Sequence, residues 1–429
     1  MSTRRAKTSV TGMYALRERS LKRVIWLCGR VKSRETTRKP SPLLRYDSKM
    51  DDSGIVTFDK VPDGDVINFG IGQPSPDLLP VKLIREASAD FLDNAHPLEL
   101  NYGERQGDER FRESLADFLS RHYHSPVTPE SLVVSGGNSQ ALDFVCAQFA
   151  REGDTIFVEE PTYFLAHQIF RDHGLNVVGI PMDRDGLRTD ILREKLKEHR
   201  PALLYTIPSY HNPCSYTLSG ARRQELAALS REHGFIVVAD EVYQLLHYFD
   251  TPPPPAMGTL AEQGNILSLG SFSKIMAPGL RLGWIQSSRN LVDCILQTGV
   301  VNSGGSFNHF TSQVMRHAID LGLQQSMLDK LRAVYRRRVE TMEAALQAEF
   351  ANKAHWQRPD GGYFFWLELD HKVDARALKA KAMKNGVGFQ PGEIFSCASG
   401  FHNFIRLSFA HYRRDQIREG ISRLSRLIR

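Results

Sequence analysis

Short apolar runs recur along the middle of the chain, each followed by a polar, turn-forming stretch. Leu132–Val134, Thr155–Val158, Val177–Ile180, Leu203–Ile207, Ile236–Ala239, Ile266–Leu269 and Gly283–Ile285 are largely apolar. That is the pattern of strands buried on both faces. The segments between several of them, such as Ser139–Arg151 and Leu218–His233, carry helical spacing. The alternation predicts an α/β fold with a mostly parallel seven-stranded sheet sandwiched by helices. Ligands in such sheets bind beyond the carboxyl ends of the strands.

The flanks follow different rhythms. Val66–Gln73 reads as a short strand closed by Pro74 and Pro76, and Val81–Asn94 and Phe111–His122 have helical spacing. Residues 311–350 read as long helices, most clearly Met327–Phe350. A strand (Tyr363–Leu369), a helix (Ala375–Asn385), a strand (Ile405–Phe409) and a basic helix (Asp415–Ile428) follow. This predicts a smaller α/β lobe. The expected organisation is an extension or linker over 1–62, a segment over 63–95 that contributes to the small domain and the site, a large domain over 96–310 and a small one over 311–429.

Composition adjusts this picture. The 429 residues exceed what one small domain needs. No run of about 18 apolar residues predicts a membrane helix. Five separated cysteines without C-x-x-C argue against a disulfide framework or zinc cluster, and for a reducing compartment. The net charge of +6 is carried by the first 46 residues, where 13 Lys or Arg face two acids, a balance of +11; the remainder carries −5. The mildly acidic body gives no support for nucleic-acid binding. The Arg-rich, acid-poor stretch 1–46 fits a mitochondrial transit segment, a plain extension, or a start at Met50, so the expected location is mitochondrial or cytoplasmic.

Candidate chemistry gathers where the strands end. Ser268-Leu269-Gly270-Ser271-Phe272-Ser273-Lys274 leads from a strand to a lysine, and Arg281 follows a Pro-Gly turn. A crowded lysine loses its proton more easily and becomes nucleophilic; hydroxyls and an arginine suit a phosphate. The combination suggests a lysine that forms a Schiff base with a phosphorylated aldehyde, although a lone lysine of this kind is usually solvated. Ser135-Gly136-Gly137-Asn138-Ser139-Gln140 lies between strand and helix, either an anion site or an ordinary capped turn. Tyr163 could stack on a planar ring or simply pack. Asp240 could pair with a protonated pyridine nitrogen or cap a helix. Asn212 and Tyr243 could each bond a ring phenolate. No H-E-x-x-H, Walker or complete G-x-G-x-x-G motif occurs, and no metal site is expected.

In this order the stretches resemble the class I/II pyridoxal-phosphate-dependent aminotransferases, of the aspartate aminotransferase fold (fold type I), over roughly residues 65–429. Asn68-Phe69-Gly70-Ile71-Gly72-Gln73-Pro74-Ser75-Pro76, Gly361-Gly362-Tyr363-Phe364-Phe365-Trp366-Leu367 and Asn403-Phe404-Ile405-Arg406-Leu407-Ser408-Phe409 look most like the branch containing 2-aminoadipate and kynurenine aminotransferases. The resemblance implies pyridoxal 5′-phosphate on Lys274, which also shuttles the proton, with Asp240 at the ring nitrogen and Tyr163 stacked on the ring. It implies Asn212 and Tyr243 at the ring oxygen, and Gly137, Asn138, Ser271 and Arg281 at the phosphate, with Ser139 a further candidate. Arg406 would clamp the substrate α-carboxylate, with the Gly72 backbone and Asn212 alongside. Tyr102 would reach the partner subunit's phosphate in a homodimer with shared sites.

Two departures stand out. Asn212-Pro213-Cys214-Ser215 replaces the family's frequent Asn-Pro-Thr-Gly, which puts the loop's shape in doubt. Gly137-Asn138 replaces the branch's usual Gly-Ser, which puts one phosphate contact in doubt. The expected reaction transfers the amino group of a 2-aminoadipate, aromatic or branched-chain amino acid to 2-oxoglutarate or a similar 2-oxo acid. A β-lyase or decarboxylase on the same fold is the alternative, and a non-enzymatic cofactor-binding regulator a remoter one; the extension is too short and unpatterned for a winged helix. Ser271-Phe272-Ser273-Lys274 also matches the S-x-x-K acylase signature, but no S-D-N or K-T-G accompanies it.

Overall fold

The computed structural model describes residues 65–428. The extension expected over 1–62, with its targeting reading, lies outside the described residues. The described chain opens on a two-residue strand, β1 (Ile67–Asn68), much shorter than the Val66–Gln73 expected. The reason lies in the backbone that follows: Gly70 and Gly72 give their carbonyls to the Arg406 and Lys274 side chains instead of to a sheet.

Eight strands then build the large sheet. They are β2 (Leu132–Ser135), β3 (Thr155–Glu160), β4 (Asn176–Asp183), β5 (Gly186–Leu187), β6 (Leu203–Thr206), β7 (Ile236–Asp240), β8 (Ile266–Ser271) and β9 (Gly283–Ser287). Their order is β2-β9-β8-β7-β6-β3-β4-β5. The run β4-β3-β6-β7-β8 is parallel. Strand β9 runs antiparallel between β8 and β2. The seven expected strands are all present; the eighth, β5, is a two-residue hairpin return on the edge of β4, too short to show a period in sequence.

Strands β6, β7 and β8 are buried at every residue, because helices cover both faces. Asn138–Phe149 and Gly220–His233 begin and end close to the expected positions. Phe164–Asp172 and Thr189–Glu198 are helices that the apolar pattern left unassigned. Packing across the sheet is close. A Cβ on Gly270 would lie 2.1 Å from the Trp284 ring on the neighbouring strand, so glycine is the residue that admits this tryptophan beside β8.

The second sheet is antiparallel. Its strands β10 (Ala354–Trp356), β11 (Phe364–Leu369), β13 (Gln390–Pro391) and β14 (Phe404–Ser408) lie in the order β10-β11-β14-β13. Between them β12 (Val387–Gly388) pairs parallel with β1. The helix Leu323–Phe350 buries Met327, Leu331, Tyr335, Val339, Met342, Leu346 and Phe350 along one face, the spacing of three and four that a helical stripe requires. Ser408 donates its N–H to the Phe69 carbonyl at 2.8 Å, which joins the N-terminal segment to β14 beside Arg406.

Gly270→Ala tests the close packing. Overpacking at this level costs about 1–3 kcal/mol, so the variant is expected to melt at a lower temperature than the parent in a calorimetric scan. An unchanged midpoint would contradict the packing described.

Candidate active site

Several chain segments converge at the carboxyl ends of the large sheet. Asp240 closes β7 and Ser271 closes β8, with Lys274 three residues beyond. The helix Asn138–Phe149 starts there too, with Gly137 at its N-cap. Gly137 has φ of 84°, a left-handed conformation that glycine adopts at no steric cost. A Cβ there would also press on the Arg281 guanidinium at 3.2 Å.

Lys274, Asp240, Tyr163, Asn212, Tyr243 and Arg406 line one cavity of about 210 Å³. Gly72, Asn138, Ser139, Ser271 and Arg281 border the same space. Eleven of the thirteen residues expected at the site therefore line the cavity; Gly137 stands immediately behind Arg281. Tyr102 does not line it: this side chain is 83% exposed on the surface.

Asp240 is 7% exposed. Its Oδ1 accepts from Asn138 Nδ2 at 2.6 Å, and its Oδ2 accepts from the Tyr205 hydroxyl at 2.8 Å. Burial raises the carboxyl pKa, and these two donors and Lys274 pull against that rise. Lys274 Nζ donates to the Gly72 carbonyl at 3.0 Å and lies 5.2 Å from the centre of the Tyr363 ring. Burial and the neighbouring Arg406 and Arg281 charges push Lys274 down to about 8, against the opposing pull of Asp240.

Arg406 is 3% exposed on β14. Its Nη1 donates to Asn212 Oδ1 at 2.8 Å and its Nη2 to the Gly70 carbonyl at 2.9 Å. The guanidinium lies 4.0 Å from the Phe364 ring centre. Its Nε is buried without a hydrogen-bond partner, and among the described residues no carboxylate pairs with it. Burial lowers its pKa to about 10. A buried cation that lacks a counter-charge and keeps one donor open is suited to an incoming anion. Gly72 leaves the approach clear, since a Cβ there would come within 3.2 Å of Phe364 and 3.9 Å of Arg406 Nη2.

The two sequence departures have structural answers. Ser215, at the usual glycine position, takes φ of 60° and donates its hydroxyl to the Phe364 carbonyl at 2.6 Å. A serine thus occupies a left-handed turn with a local hydrogen bond, and Asn212 still faces the cavity. Asn138 directs its side-chain amide at Asp240 and the Leu269 carbonyl.

Three further residues belong to the arrangement. Ser273 lines the cavity and shares a 2.9 Å hydroxyl contact with Ser271; its place between Ser271 and Lys274 was the available signal. Phe364 lines the cavity beneath Arg406, and Tyr205 holds Asp240 from β6. Nothing in an apolar strand run distinguishes that tyrosine from core.

Residues 64–424 match the model of the family described as aminotransferase class I and II. The chain belongs to that family. Among its relatives, this aminotransferase is 33% identical over 370 residues to the aromatic-amino-acid aminotransferase 1 of Thermococcus litoralis, a match spanning 85% of this chain and 88% of the relative. A crystal structure of a multiple substrate aminotransferase from Thermococcus profundus superposes with a TM-score of 0.80 at 31% identity, covering 86% of this chain and 92% of the other. The α-aminoadipate aminotransferase of Thermus thermophilus, crystallised with N-(5′-phosphopyridoxyl)-L-leucine, gives 0.76 at 31%, covering 85% and 92%. These neighbours have the type I fold that the sequence led us to expect.

The lysine makes a measurable prediction. At pH 8 about half of Lys274 is neutral, against roughly 0.4% of a lysine with the ordinary value. Acetylation of the full chain, stripped of bound small molecules and read peptide by peptide, should therefore show Lys274 reacting with a midpoint near pH 8. A midpoint above roughly 10, the ordinary lysine range, would contradict the electrostatics of this cavity.

Proposed function

We propose that this aminotransferase moves the amino group of an L-amino acid to 2-oxoglutarate or a similar 2-oxo acid in two half-reactions on one site. Pyridoxal 5′-phosphate is its cofactor. The observation that carries the reading is the pair of cavity cations: Arg406, buried without a counter-charge, and Lys274, with its pKa lowered toward neutrality. One fits a substrate carboxylate and the other a reacting amine.

The residues suit the cofactor. The helix Asn138–Phe149 has no side-chain cap, so its first N–H groups stand open to a phosphate. Ser271, Ser273 and Arg281 border the same end of the cavity, and among the described residues no carboxylate pairs with Arg281. Asp240 is the candidate for holding a ring nitrogen protonated. Asn212 and Tyr243 are the candidates for the ring oxygen, and Tyr163 for the ring face.

When bound, the cofactor supplies an electron sink for the substrate α-carbon. Lys274 would hold its aldehyde, and as the free amine its Nζ would take the proton from the substrate α-carbon. Its lowered pKa makes the free base available at ordinary pH. Arg406 binds and orients the α-carboxylate through its planar fork. Leu142, Phe164, Leu165, Ile169, Ile207 and Phe364 supply an apolar wall to the cavity. Of the donors left open by the sequence, this wall favours aromatic and branched-chain amino acids over 2-aminoadipate.

A homodimer is part of the proposal. Leu98, Leu100 and Tyr102 are 68%, 61% and 83% exposed, and Val300 and Phe310 are half-exposed. Apolar side chains in such number on one region are the kind that a second copy covers. A solution mass near twice 48.5 kDa is expected by light scattering; a monomer at working concentration would remove shared sites from the proposal.

The deciding experiment is an absorbance scan of the purified protein followed by a screen of amino donors against 2-oxoglutarate and pyruvate. Cofactor absorbance is expected in the parent, with a borohydride-fixed pyridoxyl mass on the Lys274 peptide and none in Lys274→Ala. Absence of cofactor uptake by the parent would sink the reading. Keto-acid formation without an aminated acceptor would instead favour lyase or decarboxylase chemistry. Arg406→Lys keeps the charge but loses the fork. With charged hydrogen bonds worth about 1.5–3 kcal/mol each, kcat/KM should fall roughly 10- to 100-fold; an unchanged value would remove Arg406 from substrate binding.

A further inference from the structure

We propose that the Asn138 side chain is a positioning residue for Asp240 and takes no part in phosphate binding. The inference rests on the aminotransferase reading above, and it reassigns a residue that the sequence pattern places with the phosphate ligands.

An asparagine side chain has two N–H donors and one carbonyl acceptor. Asn138 Nδ2 donates to Asp240 Oδ1 at 2.6 Å and to the Leu269 carbonyl at 3.0 Å, so both donors are used. Both partners are acceptors only. A flipped amide would set oxygen against a carboxylate oxygen and a carbonyl, so the orientation is fixed by chemistry. The remaining atom, Oδ1, is buried and unpartnered. It can only accept, so it offers nothing to phosphate oxygens and repels them. A phosphate at this helix start is therefore met by backbone N–H groups, by hydroxyls and by Arg281.

The other end of the contact gives the amide its use. Asp240 is buried and forms no salt bridge among the described residues. Asn138 holds one carboxylate oxygen from the helix start, and Tyr205 holds the other from β6. Leu269 lies opposite Asp240 in the β7–β8 register. The amide therefore ties the carboxylate and the adjacent strand to one point. Removing it frees a buried anionic oxygen and lets the carboxyl turn away from the cavity. Serine, the branch's usual residue here, is too short to bridge both acceptors in this way.

The test uses the cofactor-free full chain and two probes, pyridoxal 5′-phosphate and unphosphorylated pyridoxal, with binding read by absorbance. In Asn138→Ala both probes are expected to bind about tenfold more weakly, with the ratio of their affinities unchanged. Asn138→Ser should behave the same way and serves if the alanine variant folds poorly. A deaza analogue of the phosphorylated probe, with carbon in place of the ring nitrogen, should lose nothing in either variant, an outcome that a merely structural effect would not give. The pH titration of bound pyridoxal 5′-phosphate absorbance should also shift. Loss confined to the phosphorylated probe would overturn the proposal in favour of a phosphate contact, and unchanged binding of both would overturn it outright. Failure of the parent to bind either probe would instead remove the aminotransferase reading on which it rests.

Discussion

A carboxylate held out of water without an ion-pair partner is expensive, and the centre of this protein is arranged around one. Asp240 keeps its place because separate elements supply hydrogen bonds to both its oxygens. Those donors can meet only if the helix start, β6 and β7 are in register. The parallel sheet provides that register, and the apolar strands are buried on both faces to maintain it. The place of Asp240 in the cavity therefore depends on that register.

The same low-dielectric setting couples the other charges. Burial, Arg406 and Arg281 depress Lys274, while Asp240 pulls it the other way. The lysine pKa thus ends at about 8 while its Nζ donates to a backbone carbonyl, that of Gly72. Phe364 contributes twice. Its ring supports the Arg406 guanidinium, and its carbonyl accepts from Ser215. The loop bearing Asn212 and the strand bearing Arg406 are linked through one residue. A change at the Asn-Pro-Cys-Ser turn is thus felt by the arginine.

Much of this was legible in the sequence for a physical reason. Asp240, Ser271 and Lys274 stand where apolar runs stop, and that boundary is visible without a structure. Arg406 lies inside a strand, so only the resemblance of the surrounding stretch gave it a role. Tyr205 was illegible because a tyrosine within Leu203–Ile207 reads as core, which by burial it is. The role of Asn138 could not be read from local pattern, since its partners are 102 and 131 residues away. The Val66–Gln73 strand was overextended because alternating apolar residues do not reveal that backbone carbonyls are claimed by side chains. The long helices were legible, their stripes being several turns long, while β5 was too brief.

Arg406 carries a consequence for what the cavity refuses. Its guanidinium rests on two neutral acceptors, Asn212 Oδ1 and the Gly70 carbonyl, with Nε left open. A ligand that brings a carboxylate completes the set of bonds. An amine of the same shape but without a carboxylate leaves a buried donor unmatched and a cation uncompensated, and sites built this way discriminate strongly against analogues that lack the polar group. In the proposed role of Arg406, the unfilled valence of one arginine would act as a filter, separating amino acids from the simple amines formed by their decarboxylation at a point in the fold where an apolar wall alone would admit both.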